Sequence, residues 1–119
     1  MVLEHFQDPR NAAVMADADA IGVSSASGAA LTTLYFRVRD SVLEKVTFQA
    51  FGCGFLIACC SALTELVAGR HVRDCQGMDA AYLATYLGGL PPDKQFCAAL
   101  AVAAMRDGLE KLCAKGLLD

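Results

Sequence analysis

Two runs of alternating residues that lead directly into a glycine-bracketed cysteine constrain this chain more than any other feature. Leu34, Phe36 and Val38 alternate with Thr33, Tyr35, Arg37 and Arg39. After Asp40-Ser41 the alternation resumes, with Val46, Phe48 and Ala50 set against Lys45, Thr47 and Gln49. A period of two marks a strand with one buried face, so residues 31 to 51 are predicted to form a hairpin that turns at Asp40-Ser41. An amphipathic hairpin needs a cover on one side. The apolar run beyond Gly54 supplies it, as a helix predicted to reach about Gly69. Its inward stripe is Leu56, Cys59, Cys60, Leu63, Leu66 and Val67, with Ser61, Thr64 and Glu65 outside.

The remaining elements follow from local signals. Val2 to Gln7 reads as a short helix with Leu3 and Phe6 facing inward, stopped before Asp8-Pro9 because proline restricts the residue that precedes it. Residues 8 to 30 are small and polar-leaning, with a short strand at Ile21-Gly22-Val23. Asp79 to Leu87 is predicted to be a helix capped by Gly88-Gly89. The last helix runs from about Gln95 to Lys115, buries Leu100, Ala101, Ala104, Leu109 and Leu112, and ends at Gly116. The expected class is α+β, a small three-stranded antiparallel sheet with helices packed on one face. No repeat or linker divides the 119 residues, so residues 1-119 read as one domain.

Composition narrows the functional classes. A hydrophobic fraction of 55% excludes intrinsic disorder, and the longest uncharged apolar stretch, Ala50 to Leu63, is too short to span a bilayer. The segment Met1 to Phe6 lacks the basic start, apolar core and cleavage site of a secretory signal, so a cytoplasmic location is expected, with no membrane partner. In a reducing compartment, six irregularly spaced cysteines read as thiols or ligands and not as a disulfide framework. The net charge of −3, from 10 basic and 13 acidic residues without a basic run, argues against nucleic acid.

Among the cysteines, Cys53 lies between Gly52 and Gly54 at a strand-to-helix junction, sterically open and near the free N–H groups of a starting helix. Pro91 and Pro92 exclude helix until about Gln95, so Cys97 also sits at a helix start. Both are read as working thiols, against the alternative that each is a small apolar core residue. Cys59 and Cys60 lie roughly 9 Å or more along the helix from Cys53, inside the apolar stripe, which favours packing over ligation. Cys75 and Cys113 are read as structural, and His5 and His71 as surface residues.

Three segments taken together go further. Asp8-Pro9-Arg10-Asn11, Phe51-Gly52-Cys53-Gly54 and Leu90-Pro91-Pro92-Asp93-Lys94-Gln95-Phe96-Cys97, in this order and spacing, resemble the NifU/IscU-type iron-sulfur cluster assembly scaffold family over nearly the whole chain. The resemblance implies a scaffold, not an enzyme, with a fold related to that of the SufE sulfur acceptors. Such a scaffold binds iron or a labile 2Fe-2S cluster through the Cys53 and Cys97 thiolates and passes it on, and zinc is a further metal for the isolated protein. It implies a cysteine desulfurase and apo iron-sulfur recipient proteins as partners, and an Hsp70-type chaperone docking on Leu90, Pro91, Pro92, Asp93 and Lys94.

The departures from the family pattern bear on ligation. The family's Ala-Cys-Gly-Asp turn reads Ala26-Ser27-Gly28-Ala29, so Ser27 stands for a cysteine and Ala29 for an aspartate. Phe96 replaces the histidine beside the last cysteine, and Asp93 replaces a valine in the proline segment. Of the usual ligands only Cys53 and Cys97 remain, with Ser27, Cys59 and Cys60 as weaker candidates. Clusters take four ligands, so a two-fold homodimer would complete the set. Two alternatives stand beside the scaffold. One is a persulfide relay of SufE type, with Cys97 or Cys53 as acceptor. The other is a regulatory or adaptor homologue that binds no cluster.

Overall fold

In a computed structural model, which describes residues 1–26 and 30–118, the hairpin forms as expected. Strand β2 (Ala30–Arg39) pairs antiparallel with β3 (Val42–Phe51), placing Leu34 opposite Phe48 and Phe36 opposite Val46. Asp40 and Ser41 take φ of 52° and 60°, the two left-handed residues that a tight turn between right-twisted strands requires. Strand β1 (Ala20–Ala26), longer than the predicted Ile21-Gly22-Val23, joins the other side of β2 antiparallel, giving the order β1-β2-β3. Ala20, Leu34, Phe36, Val46 and Phe48 form the buried face. Tyr35 and Thr47, expected on the solvent side, are buried too. They are register neighbours, and the Tyr35 hydroxyl donates to Gln49 Oε1 at 2.8 Å.

The helices lie on the inner face. They are α1 (Val2–Gln7), α2 (Gly54–Val67), the single-turn α3 (Val72–Cys75), α4 (Ala80–Tyr86) and α5 (Gln95–Ala114), with a 3-10 turn at Pro92–Lys94. Neither α3 nor the 3-10 turn has a periodic signal long enough to predict. Helix α5 crosses β1 almost backbone to backbone: a Cβ on Gly22 would stand 2.0 Å from the Ala104 carbonyl oxygen, and one on Gly108 would stand 2.2 Å from Phe36 Cε2. The same helix covers the open edge of β1. The Val23 N–H donates to Asp107 Oδ2 at 2.9 Å, and Lys111 Nζ donates to the Ile21 carbonyl at 2.8 Å, satisfying groups that would otherwise template pairing with another chain. Leu100, expected buried on α5, is half-buried, with its carbonyl accepting from Ser24 Oγ at 2.6 Å.

Helix α1 turns the opposite way from the sequence expectation. Leu3 and Phe6 are 64% and 48% exposed, whereas His5 is 1% exposed. The reason lies in the surface beneath. Ser61 and Thr64, expected outside, are buried where α1 and residues 10 and 11 cover α2. That surface is polar, and it selects the polar face of α1. His5 Nδ1 lies 2.7 Å from Ser61 Oγ, the Arg10 N–H donates to the same oxygen at 2.8 Å, and Asn11 Nδ2 donates to Thr64 Oγ1 at 3.2 Å. Because Ser61 Oγ accepts from Arg10, its own proton is left to donate to Nδ1, the arrangement of a neutral imidazole. Burial and the Arg10 cation push the His5 pKa down, consistent with that state. Among the described residues, no helix is long and apolar enough to cross a membrane.

Candidate functional site

Strand β3 ends at Phe51, and the chain turns sharply through Gly52, whose φ of 156° and close approach to Leu56 leave no room for a Cβ. Cys53 is thereby set as the N-cap of α2, half-buried, at the head of a helix whose Leu56 N–H donates to the Cys53 carbonyl at 3.1 Å. Pro91 and Pro92 delay the start of α5 until Gln95, so Cys97 falls in its first turn, fully buried. The two helix starts converge, and the Sγ atoms of Cys53 and Cys97 are 3.7 Å apart.

The environment treats these thiols oppositely. Burial raises the Cys53 pKa, but the N–H groups of Leu56 and Phe55, the Cys97 thiol and the Lys94 cation together outweigh it, and the net direction is down. Neither N–H makes a full cap hydrogen bond to the sulfur, so the effect is that of the helix start as a whole. Cys97 is pushed up to about 12, first by burial and then by the neighbouring Cys53, with Lys94 opposing. Of the two, Cys53 is the thiol that gives up its proton more easily.

Above Cys53 opens an apolar cavity of about 510 Å³ lined by Val2, Leu3, Phe6, Cys53, Gly54, Phe55 and Lys94. Leu3 and Phe6, exposed because His5 points inward, form one wall. A Cβ on Gly54 would stand 2.8 Å from the Phe6 ring, so the second glycine of the bracket lets α1 approach the cysteine. Lys94 Nζ lies 5.9 Å from the centroid of the Phe55 ring and marks the polar side of the mouth. Reasoning from sequence did not find this wall. The available signal was the pairing of Val2 with His5 one turn apart, which sets Leu3 and Phe6 together on the face next to it, about 100° round the helix.

Cys59 and Cys60 are in the core with no exposed surface, packed among Leu56, Leu63 and Ala62. Burial pushes Cys60 up to about 12, and pushes Cys59 higher still. Cys75 is also buried, whereas Cys113 is exposed. His71 is half-buried as the N-cap of α3, its Nδ1 accepting from the Arg73 N–H at 3.2 Å. Ser27 and Ala29 lie outside the described residues. Among those described, no group of three or more His, Cys, Asp or Glu side chains is placed to hold a metal ion. The Cys53–Cys97 pair offers soft donors suited to iron-sulfur chemistry, but two thiols fall short of the four ligands that such clusters, and structural zinc, take.

The proline segment is less extended than expected. Pro91, Pro92 and Asp93 are exposed, but Leu90 is buried, and Pro92–Lys94 closes a 3-10 turn with the Lys94 N–H donating to the Pro91 carbonyl at 2.9 Å. Gln95 Nε2 donates to the Leu90 carbonyl at 2.8 Å, tying the segment to the start of α5. Phe96, in the position beside Cys97, is 43% exposed and brings no donor atom.

Comparison with known proteins matches the chain to a family. The model of the NifU-like N terminal domain matches residues 1–117. The chain is 39% identical over 106 residues to the iron-sulfur cluster assembly scaffold protein IscU 1 of Archaeoglobus fulgidus, covering 88% of this chain and 69% of that one. It is 37% identical over 117 residues to the scaffold protein IscU of Aquifex aeolicus, covering 92% and 74%. The nitrogen fixation protein NifU of Azospirillum brasilense is 36% identical over 123 residues, which is 99% of this chain and 40% of that longer protein. A crystal structure assigned to a SUF-system scaffold of Fervidobacterium islandicum AW-1 superposes with a TM-score of 0.73 at 15% identity, covering 91% of this chain and 93% of the other. At that identity the likeness speaks for the fold.

Proposed function

The chain belongs to the NifU-like N-terminal domain family, and from that premise we propose that it holds the product of iron-sulfur cluster assembly on the Cys53–Cys97 pair. The scaffold role itself follows from relatives named for it at 37% to 39% identity over most of the chain, and those names favour it over a sulfur relay. The cluster is cargo, built from iron and sulfide and then released.

The observation that carries the site is the convergence of two helix starts on one pair of sulfurs 3.7 Å apart, one of them open to the cavity. Two thiolates can take two of the four terminal positions of a 2Fe-2S cluster. A second copy related by a two-fold axis supplies the other two, and the exposed Leu3 and Phe6 at the mouth are the apolar surface such a contact would cover. A cysteine desulfurase as sulfur donor, apo recipient proteins, and a chaperone meeting the exposed Pro91, Pro92 and Asp93 complete the reading.

Anaerobic reconstitution of the reduced chain with iron and sulfide tests it. Visible absorption and bound iron are expected in the wild type and absent from Cys53→Ala and Cys97→Ala. Equal iron uptake by either variant would remove the pair from the site.

A further inference from the structure

Cys53 and Cys97 are also placed to react with each other. Their sulfurs are in contact at 3.7 Å, against the about 2.05 Å of a disulfide bond. Access to the two differs absolutely: Cys53 faces the cavity of Val2, Leu3, Phe6, Phe55 and Lys94, whereas Cys97 lies behind it with no exposed surface. An incoming reagent therefore meets Cys53 first, and whatever it leaves there sits directly in front of the Cys97 thiol. Among the other cysteines, Cys59, Cys60 and Cys75 are buried and Cys113 is exposed. The cavity is roomy enough for a tripeptide arm, and Lys94 at its rim complements a carboxylate.

We propose that Cys53 is a modification site for low-molecular-weight disulfides of the glutathione class, resolved by Cys97 into an internal Cys53–Cys97 disulfide. The Cys53 thiolate attacks one sulfur of glutathione disulfide, forming a mixed disulfide and expelling one glutathione thiolate. The Cys97 thiol gives up its proton and attacks the Cys53 sulfur, expelling the second glutathione thiolate. The proton that Cys53 released on ionising and the proton of Cys97 end on the two glutathiones. Two protein thiols are oxidised to a disulfide, and one small disulfide is reduced to two thiols. The chain then holds both of its cluster-facing sulfurs in a bond with each other, so oxidised protein is closed to loading. That consequence rests on the proposed function, but the chemistry does not.

The test uses the full chain, reduced and free of iron, in a Cys113→Ser background that removes the exposed competing thiol. The protein is incubated anaerobically with glutathione disulfide, quenched in acid, alkylated and mapped by mass spectrometry, with circular dichroism confirming the fold of each variant. The expected product has lost two hydrogens and yields a Cys53–Cys97 cross-linked peptide. Cys97→Ser is expected to retain glutathione on Cys53, and Cys53→Ser to acquire none on Cys97. Glutathione persisting on Cys53 while Cys97 is intact would overturn the proposal, as would a cross-link to Cys59 or Cys60. Because no iron enters the assay, its failure is separable from failure of the cluster reading.

Discussion

Cys53 and Cys60 belong to the same helix, one as its N-cap and one in its middle, and their surroundings make them different chemical groups. At the mouth, Cys53 meets the N–H groups of the helix start, a lysine and an open cavity, and its pKa is lowered. In the core, Cys60 and its neighbour Cys59 meet side chains such as Leu56, Leu63 and Ala98, and their thiols stay protonated. Cys97 stands between the two regions, buried like the core pair but in contact with Cys53. Position relative to a helix end, more than residue type, separates a ligand from packing.

The widest separation is expected in metal retention. Cys59→Ala and Cys60→Ala should keep iron per chain near the wild-type value under reconstitution, while the mouth cysteines are each indispensable. Iron lost from a folded Cys59→Ala protein would erase the distinction. Thiol reactivity should divide the molecule next. In the native chain, iodoacetamide is expected to label Cys53 and exposed Cys113 first and Cys97 more slowly. Cys59 and Cys60 should react only through unfolding, slowed by a factor on the order of a thousand or more. Peptide mapping over time reads this order, and early labelling of Cys59 would contradict it.

Stability should show the reverse ranking. Cys59→Ser buries a hydroxyl in an apolar site and is expected to cost about 1–3 kcal/mol in denaturant unfolding. Cys53→Ser at the open N-cap is expected to stay within about 0.5 kcal/mol of the wild type. Equal costs would mean that the mouth is packed like the core.

The smallest effect concerns the wall of the mouth. The folded pKa of His5 lies below its ordinary value of 6.5, so between the two the unfolded chain binds the proton that the folded chain refuses. Its contribution to stability is therefore complete above pH 6.5 and declines as pH falls below it. Unfolding measured from pH 8 to 5 should show that decline, and His5→Gln should flatten it. An unchanged slope in the variant would place the acid sensitivity elsewhere.

The hairpin and α5 were legible because their apolar residues recur in the sequence at simple periods, two in β2 and β3 and the 3.6 of a long helix after Pro91 and Pro92. The turn at Asp40-Ser41 was legible as punctuation between alternating runs. Helix α1 was legible in its bounds but not in the face it buries, because the rule that apolar residues turn inward fails where the receiving surface is Ser61 and Thr64; a buried hydrogen-bond network leaves no periodic trace. The same network hid the double burial of α2. At the site, both cysteines could be assigned to helix starts from glycine and proline placement alone. Their contact could not, since nothing local relates residues so far apart in the chain. The order of the three motif segments carried the family, while the cavity wall at Leu3 and Phe6 emerged only once α1 was turned.

A native mass spectrum of the anaerobically reconstituted protein tests the central claim most directly, because it counts chains and iron in the same particle. Two chains around one 2Fe-2S cluster, with only apo chains from Cys53→Ala and Cys97→Ala, is the predicted result. A cluster carried by a single chain, or by a Cys53→Ala chain that is folded, would contradict the assignment of these two sulfurs as a half-site.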